Sequence, residues 1–441
     1  MNSPRKQRLF GTDGIRGVAG DEVDAELALT LGRAAALAMP AARPQVVIAR
    51  DTRESGPMLE AALAAGIAAG GGDAWLAGVL PTPAASVLVR RLGLDLAAVV
   101  SASHNPWQDN GIKLFGPEGG KISEELQSEI ERLMAAPEAA GQARAGRIST
   151  IEGALGDYLR ELRSAFALDL AGRRIVLDCA NGATYRAAPA VFEHFGATVD
   201  AMAVEPDGRN INAGCGSTDP AALAARVKDS GAEIGFAFDG DGDRVIAVDA
   251  GGEVRDGDEL IAVLATGLAA AGELGGGVAV TVMSNFGFHR AMEAAGVEVA
   301  TTPVGDRHVS AELERRGWRL GGEQSGHIIW TEMGPTGDGI AAALLTLRAL
   351  GDRPLAGAVP MQKLPQRLVN VRVRDLEALE GSTAVAEAVA REAEALDGRG
   401  RVLLRPSGTE PLVRVMVEAP APDECEAVAA RLAEVVEREL A

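Results

Sequence analysis

Three aspartates separated only by glycine, Asp239-Gly240-Asp241-Gly242-Asp243, follow the apolar run Phe236–Phe238 and lead into Arg244. Carboxylates this close repel one another, and a cation among them is the simple remedy. An all-oxygen donor set suits a hard ion, magnesium or calcium, over zinc or copper. Gly240 and Gly242 permit backbone angles that other residues resist, so the carboxylates can turn inward. Arg244 adds a fixed positive charge that a phosphate could bridge to the metal. The motif reads as a divalent-metal site for phosphate chemistry. A helix–loop–helix calcium site needs Gly at its sixth position and Glu at its twelfth. Counted from Asp239 those positions are Arg244 and Ala250, which excludes it. A hydrolase using Asp239 as nucleophile and a solvated acidic turn are both left open by this motif alone.

Four further segments carry polar groups that suit the same chemistry. Ser101-Ala102-Ser103-His104-Asn105-Pro106 follows the apolar run Leu96–Val100, so its serines fall where a strand ends. Ordered loops at such ends are where α/β proteins place ligands. A free serine hydroxyl is a poor nucleophile and needs a base, or must already carry the reacting group. His104 adjoins Ser103, but neighbouring side chains usually diverge, and the Gly-x-Ser-x-Gly elbow is missing, so a Ser–His hydrolase is not expected. Ser103 carrying a phosphoryl group beside the metal is the alternative, and a plain turn serine the bland one. Lys113 stands out in a chain with 5 lysines and 38 arginines. Arginine cannot shed its proton and a buried lysine can, so Lys113 is a candidate proton shuttle or an ordinary phosphate partner. Gly321-Gly322-Glu323-Gln324-Ser325-Gly326-His327 offers Glu323 and Ser325 to sugar hydroxyls, although glycine-rich polar turns are common. Arg405-Pro406-Ser407-Gly408-Thr409-Glu410-Pro411, with Arg414 beyond it, can clamp a phosphate between two guanidinium groups and a Ser-Gly-Thr turn. It lacks the Gly-Lys-Ser/Thr ending of a Walker loop.

The elements that must position these groups are legible as alternating strand-like and helical patterns, which indicate α/β layers with largely parallel sheets. Val46–Ala49, Ile175–Leu177 and Val278–Val282 are expected as the first strands of three similar α/β units. A helix over Glu124–Met134 with Ser123 as N-cap precedes a polar linker from Pro137 to Ser149. Leu368–Val373 and Val413–Val417 alternate like strands, and Val428, Leu432, Val435 and Val436 form one apolar face of a helix over Asp423–Leu440. The expected domains are 1–152, 153–254, 255–366 and a smaller α+β domain, 367–441.

The 441 residues exceed a single core. With 47% apolar but 3% aromatic residues, the cores must be built from Ala, Val, Leu and Ile. A net charge of −19 argues against nucleic acid or an anionic membrane as partner, without excluding a small anionic substrate. Three scattered cysteines and no signal-peptide or spanning apolar run point to a soluble cytoplasmic protein.

In order along the chain, Phe10–Gly17, Ser101–Pro106, Asp239–Arg244, Gly322–His327 and Arg405–Pro411 resemble the motifs of the α-D-phosphohexomutase superfamily, and most closely its phosphoglucosamine mutase family. Gln324 and the Ser407-Gly408-Thr409 form of the last loop favour that branch over mannose and glucose relatives. Trp107-Gln108 and His308 depart from residues common there. The resemblance implies three α/β domains and a C-terminal lid domain around a cleft. It implies that Ser103 is phosphorylated and, with Asp239, Asp241 and Asp243, holds one Mg²⁺. Arg16, His104, Lys113 and Arg244 would line the reaction centre. Gly322, Glu323 and Ser325 would bind the sugar, and Arg405, Ser407, Gly408, Thr409 and Arg414 the distal phosphate. The implied reaction interconverts glucosamine 6-phosphate and glucosamine 1-phosphate through a 1,6-bisphosphate, with glucosamine or glucose 1,6-bisphosphate as activator. The implied role is supply of UDP-N-acetylglucosamine for cell-wall precursors, in a chain that could act as a homodimer. The rivals are a phosphomannomutase or phosphoglucomutase, an aspartyl-phosphate phosphatase using Asp239, and a non-catalytic sugar-phosphate binder.

Overall fold

The computed structural model describes residues 9–11, 13–135, 144–374, 376, 378–406 and 411–440. Two compact units are present: the chain up to Met283 with Val297–Val359, and Ser284–Gly296 with the chain from Pro360 onward.

The first unit contains three sheets. One comprises β1 (Ile15–Val18), β2 (Gln45–Arg50), β3 (Asp73–Val79), β4 (Leu96–Val100), β5 (Asp109–Phe115) and β6 (Ile148–Thr150), in the order β1-β5-β4-β2-β3-β6. The second comprises β7 (Arg174–Asp178), β8 (Thr198–Met202), β9 (Ile234–Phe238), β10 (Val245–Asp249) and β11 (Val254–Arg255), in the order β11-β10-β9-β7-β8. The third comprises β12 (Gly277–Thr281), β13 (Glu298–Thr302), β14 (Leu320–Gly322) and β15 (Ile328–Trp330), in the order β13-β12-β14-β15. The central pairs β2–β4, β7–β9 and β12–β14 are parallel, and antiparallel strands lie toward one edge of each sheet.

This is the α/β architecture expected from sequence, with two local differences. The run at Val46 is the second strand of its sheet in chain order, because the short segment Ile15–Val18 pairs antiparallel with β5. Hydrogen-bond pairing along an edge, which apolar patterning does not register, makes it a strand. The end of the expected linker likewise adds β6 parallel to β3.

Burial explains why the other strands were legible. Every residue of β4, β9 and β12 is buried, and each reads as a largely apolar run. The helix Ala25–Ala38 packs Ala28, Leu31, Ala34 and Ala35 inward, small side chains replacing the scarce aromatics. Asp24 caps it by accepting from the Leu27 N–H.

The second unit holds the antiparallel sheet β16 (Gln366–Arg372), β17 (Arg401–Pro406) and β18 (Leu412–Glu418), in the order β16-β18-β17. The helix Pro422–Leu440 buries Val428, Leu432 and Val436 among Val413, Val415 and Val417 of β18. Buried Glu418 organises this unit by accepting from Arg401 Nε (2.6 Å), Gln366 Nε2 (2.8 Å), the Phe286 N–H (2.9 Å) and Asn285 Nδ2 (3.2 Å). Among the described residues, no helix is long and apolar enough to cross a membrane.

Candidate active site

Loops leaving the carboxyl ends of β4, β9 and β14 carry Ser103, the three aspartates and Glu323. The aspartate loop is suspended from each sheet in turn. Its Asp241 carbonyl accepts from the Thr82 N–H (2.8 Å), its Gly240 carbonyl from the Ala183 N–H (2.8 Å), and its Gly242 carbonyl from the Gly339 N–H (3.0 Å).

Gly242 has φ +72°, as the sequence suggested. Gly240 is needed for a different reason. Its φ is not positive, but a Cβ there would lie 2.5 Å from the Ser103 carbonyl oxygen and 2.8 Å from Asn212 Nδ2. The absent side chain is what lets the serine loop lie against the aspartate loop. Ser103 Oγ accordingly donates to Asp239 Oδ2 at 2.5 Å.

Asp239, Asp241 and Asp243 are buried, and ligand oxygens from the three lie within 4.8 Å of one another. Burial, then Asp243 and Asp241, push the Asp239 carboxyl well above the usual range. Lys113 Nζ bonds Asp241 Oδ2 (2.8 Å) and Asp243 Oδ2 (3.1 Å) and also meets Asp13 Oδ2 (3.0 Å). The other oxygens, Asp241 Oδ1 and Asp243 Oδ1, are buried without a hydrogen-bond partner. Buried carboxylate oxygens without a hydrogen bond fit a hard divalent cation such as magnesium.

The surrounding cations are fixed by the same groups. Burial opposes the Lys113 charge, but Asp13, Asp241 and Asp243 outweigh it and raise its pKa well above the ordinary lysine value. The proton-shuttle expectation for Lys113 meets surroundings that hold its proton on. Arg16 Nη2 pairs with Asp13, and Arg244 Nε is 3.8 Å from Asp243 Oδ1. Arg16 Nε and Arg244 Nε are buried and have no hydrogen-bond partner, so each has a donor to offer. Asp13 is also held by Lys121 (2.6 Å), which reaches Asp306 (2.7 Å).

His104 Nδ1 lies 3.3 Å from Ser103 Oγ, contrary to the expectation that adjacent side chains diverge. The cause is the left-handed backbone of Ser103, φ +53°, which turns the two side chains to one side. Burial, then Arg244 and Arg16, lower the His104 pKa to about 4, so the ring is neutral. His327 stands between Asp243 Oδ1 and Asp306 Oδ2, 3.6 Å from each. Burial disfavours its charge, whereas Asp243 and then Asp306 raise its pKa to about 9. The Gly337 N–H points at Nε2 from 3.0 Å, which opposes a proton there and favours the ring protonated on Nδ1, toward Asp243.

Glu323 accepts from the Gly305 N–H at 3.0 Å, Ser325 is exposed, and Gly322 is buried at the end of β14. In the second unit Arg405 and Arg414 are direct cross-strand partners, and burial together with Arg414 lowers the Arg405 pKa. Two cations held face to face are a clamp for an anion. Ser407, Gly408 and Thr409 lie outside the described residues.

Residues not singled out in the sequence complete the site. Thr82 Oγ1 donates to Asp241 Oδ2 at 2.6 Å. Fully buried Arg53 and part-buried Asn212 bond the Ser103 loop. The polar Arg50-Asp51-Thr52-Arg53 after β2 was the available signal for Arg53, whereas nothing local marked Asn212.

Known proteins resemble this chain over nearly its full length. The four models describing phosphoglucomutase/phosphomannomutase domains match in order: alpha/beta/alpha domain I at residues 7–140, domain II at 156–252, domain III at 256–367 and the C-terminal domain at 368–435. The chain belongs to the phosphoglucomutase/phosphomannomutase family. A protein of Moorella thermoacetica named phosphoglucosamine mutase is 51% identical over 438 residues, covering 97% of this chain and 99% of that one. One of Desulforudis audaxviator with the same name is 50% identical over 422 residues, covering 93% and 94%. A crystal structure of a phosphoglucomutase/phosphomannomutase family protein from Burkholderia thailandensis has TM-score 0.83 at 25% identity, covering 100% and 98% of the two chains. N-acetylphosphoglucosamine mutase of Aspergillus fumigatus, solved with GlcNAc-6P and magnesium, shares the fold at TM-score 0.65 and 19% identity, covering 100% and 97%.

Proposed function

We propose that this family member is a phosphoglucosamine mutase, an isomerase that interconverts glucosamine 6-phosphate and glucosamine 1-phosphate through phospho-Ser103 and a 1,6-bisphosphate. The observation that carries the chemistry is Ser103 Oγ held on Asp239 beside carboxylate oxygens that accept no hydrogen bond. The substrate follows the names of the near-full-length relatives.

Phospho-Ser103 gives its phosphoryl group to O1 of glucosamine 6-phosphate, and the bisphosphate, turned end for end, returns its 6-phosphate to the serine. Magnesium bound by Asp239, Asp241, Asp243 and the Ser103 ester would neutralise charge on the phosphoryl oxygens. Arg16 and Arg244 direct their spare Nε–H donors at the group in flight. Neutral His104, its Nδ1 3.3 Å from Ser103 Oγ, takes the attacking hydroxyl's proton and returns it to the departing serine oxygen. Lys113 serves as a fixed cation among the carboxylates. Glu323, Ser325 and the Gly322 turn hold sugar hydroxyls. Arg405 and Arg414, with Ser407, Gly408 and Thr409, bind the phosphate that is not reacting. Glucosamine or glucose 1,6-bisphosphate would load Ser103 in an enzyme working on cytoplasmic phosphorylated amino sugars.

The phosphatase alternative at Asp239 is disfavoured because the near-full-length relatives carry the mutase name. The test compares wild type with Ser103→Ala. The wild type should carry one acid-stable phosphate on Ser103 and prefer glucosamine over mannose and glucose phosphates. The variant should lose both the phosphate and, by at least about 10³-fold, the turnover. An acyl phosphate on Asp239, or undiminished turnover in the variant, overturns the reading.

A further inference from the structure

Ser103 adopts φ +53°. For a residue with a side chain that conformation costs about 1 kcal/mol or more and persists only where the surroundings over-determine it. The surroundings here centre on one buried guanidinium. Arg53 is fully buried, with all five N–H donors engaged. Nε donates to Asp51 Oδ2 (2.8 Å), Nη2 to the carbonyls of Ser103 and Asn105 (2.9 Å each), and Nη1 to those of Asp109 (2.9 Å) and Pro106. Four of its five acceptors are thus backbone oxygens of the segment that presents Ser103.

The other end of Ser103 is tied to the same arginine. Its N–H donates to Ser101 Oγ (3.0 Å), Ser101 Oγ donates to Asp51 Oδ2 (2.6 Å), and Asp51 accepts from Arg53. Ring closure from Arg53 through Asp51 and Ser101 to Ser103 and back pins both the N–H and the carbonyl of one residue. Asn212, from the second sheet's side of the unit, adds another arm. Its Nδ2 donates to the carbonyls of Ser103 (2.9 Å) and Asn105 (3.1 Å), the two that Arg53 Nη2 holds.

Resting on the mutase reading, we propose that Arg53 is a positioning residue for phosphoryl transfer, seconded by Asn212. It touches no reacting atom. By fixing the left-handed turn it aims Ser103 Oγ at Asp239 and sets the line along which the phosphoryl group leaves. The geometric demand is specific to arginine. Lysine keeps the charge opposite Asp51 but has three donors on one nitrogen, which cannot reach four carbonyls spread along the loop.

The experiment measures kcat and KM for glucosamine 6-phosphate in Arg53→Lys and Asn212→Ala, with Ser103→Ala and wild type as references and circular dichroism to verify folding. Misaiming by about 1 Å costs about 100-fold. Arg53→Lys should therefore lose about 100-fold in kcat and Asn212→Ala about tenfold, each with KM within about threefold of wild type. Loading of Ser103 by glucose 1,6-bisphosphate, followed by intact mass, should slow in parallel. A kcat within about twofold of wild type in both folded variants, or a change confined to KM, overturns the inference. So does a kcat loss no larger than the loss of folded protein. If Arg53→Lys does not fold, Asn212→Ala decides by the same criteria. A wild type that neither turns over glucosamine 6-phosphate nor loads Ser103 instead refutes the functional reading.

Discussion

Lys113 can be removed with calculable consequences. Its ammonium lies 2.8, 3.0 and 3.1 Å from carboxylate oxygens of Asp241, Asp13 and Asp243, with 2% of the side chain exposed. At an effective dielectric of about 20, each attraction is about 5 kcal/mol before desolvation and carboxylate repulsion are subtracted. Removing one partner of a buried ion pair costs about 3–5 kcal/mol net. Lys113→Met should lower stability by that amount in metal-free buffer, read as the denaturant midpoint of the first unit. The substitution also strips a positive charge from two carboxylates proposed to share an ion. Magnesium should therefore bind the variant at least about tenfold more tightly, about 1.4 kcal/mol, and recover part of the lost stability. Isothermal titration with MgCl₂ on both proteins provides the assay. Equal or weaker magnesium binding by a folded Lys113→Met protein would refute the placement of cation and lysine on one pair of aspartates.

Two other perturbations isolate single groups. Arg405→Ala should raise KM for glucosamine 6-phosphate about 10- to 100-fold with a smaller change in kcat, since a charge-assisted bond to an idle phosphate is worth about 1.5–3 kcal/mol; an unchanged KM would remove Arg405 from substrate binding. Asp338 is buried, and burial raises its pKa from 3.8 to about 6 despite bonds from the Ala341 N–H and Tyr158 OH. The folded state thus holds the proton more tightly, so this contribution is whole below about pH 4 and lost as pH rises through 6, about 3 kcal/mol in all. Asp338→Asn should flatten the stability profile between those values in denaturant titrations, and parallel profiles would count against it.

Much of the chemistry was legible because it is written in contiguous residues. The aspartate loop and the serine loop each follow an apolar strand, and burial on both faces makes such strands conspicuous, whereas the sugar loop follows only the short Leu320–Gly322 strand. What escaped notice depends on contacts distant in sequence. Asn212 reaches Ser103 across 109 positions, and Thr82 reaches Asp241 across 159. Arg53 looked like a strand-end arginine because its role exists only once the loop from Ser103 to Asp109 has wrapped it. The role of Gly240 was misassigned for the same reason: a close approach by another segment leaves no trace in a residue's own backbone angles.

The choice of lysine at position 113 shows how composition and geometry part company. In a chain that favours arginine so heavily, the sequence suggested a residue able to release its proton, yet three carboxylates hold that proton in place. Shape offers a better reason. An ammonium directs three donors from one nitrogen toward three separate acceptors, and Asp13, Asp241 and Asp243 take one each. A planar guanidinium spreads its five donors within one plane and cannot converge them on three acids from a single point. Lys121 repeats the pattern between Asp13 and Asp306, so two of the chain's five lysines converge on Asp13. Asp13 is thereby held well below the ordinary carboxylate range against the pull of burial. The compact cation is used where acids converge from several directions, and the fork where one flat array of carbonyls must be read, as Arg53 does.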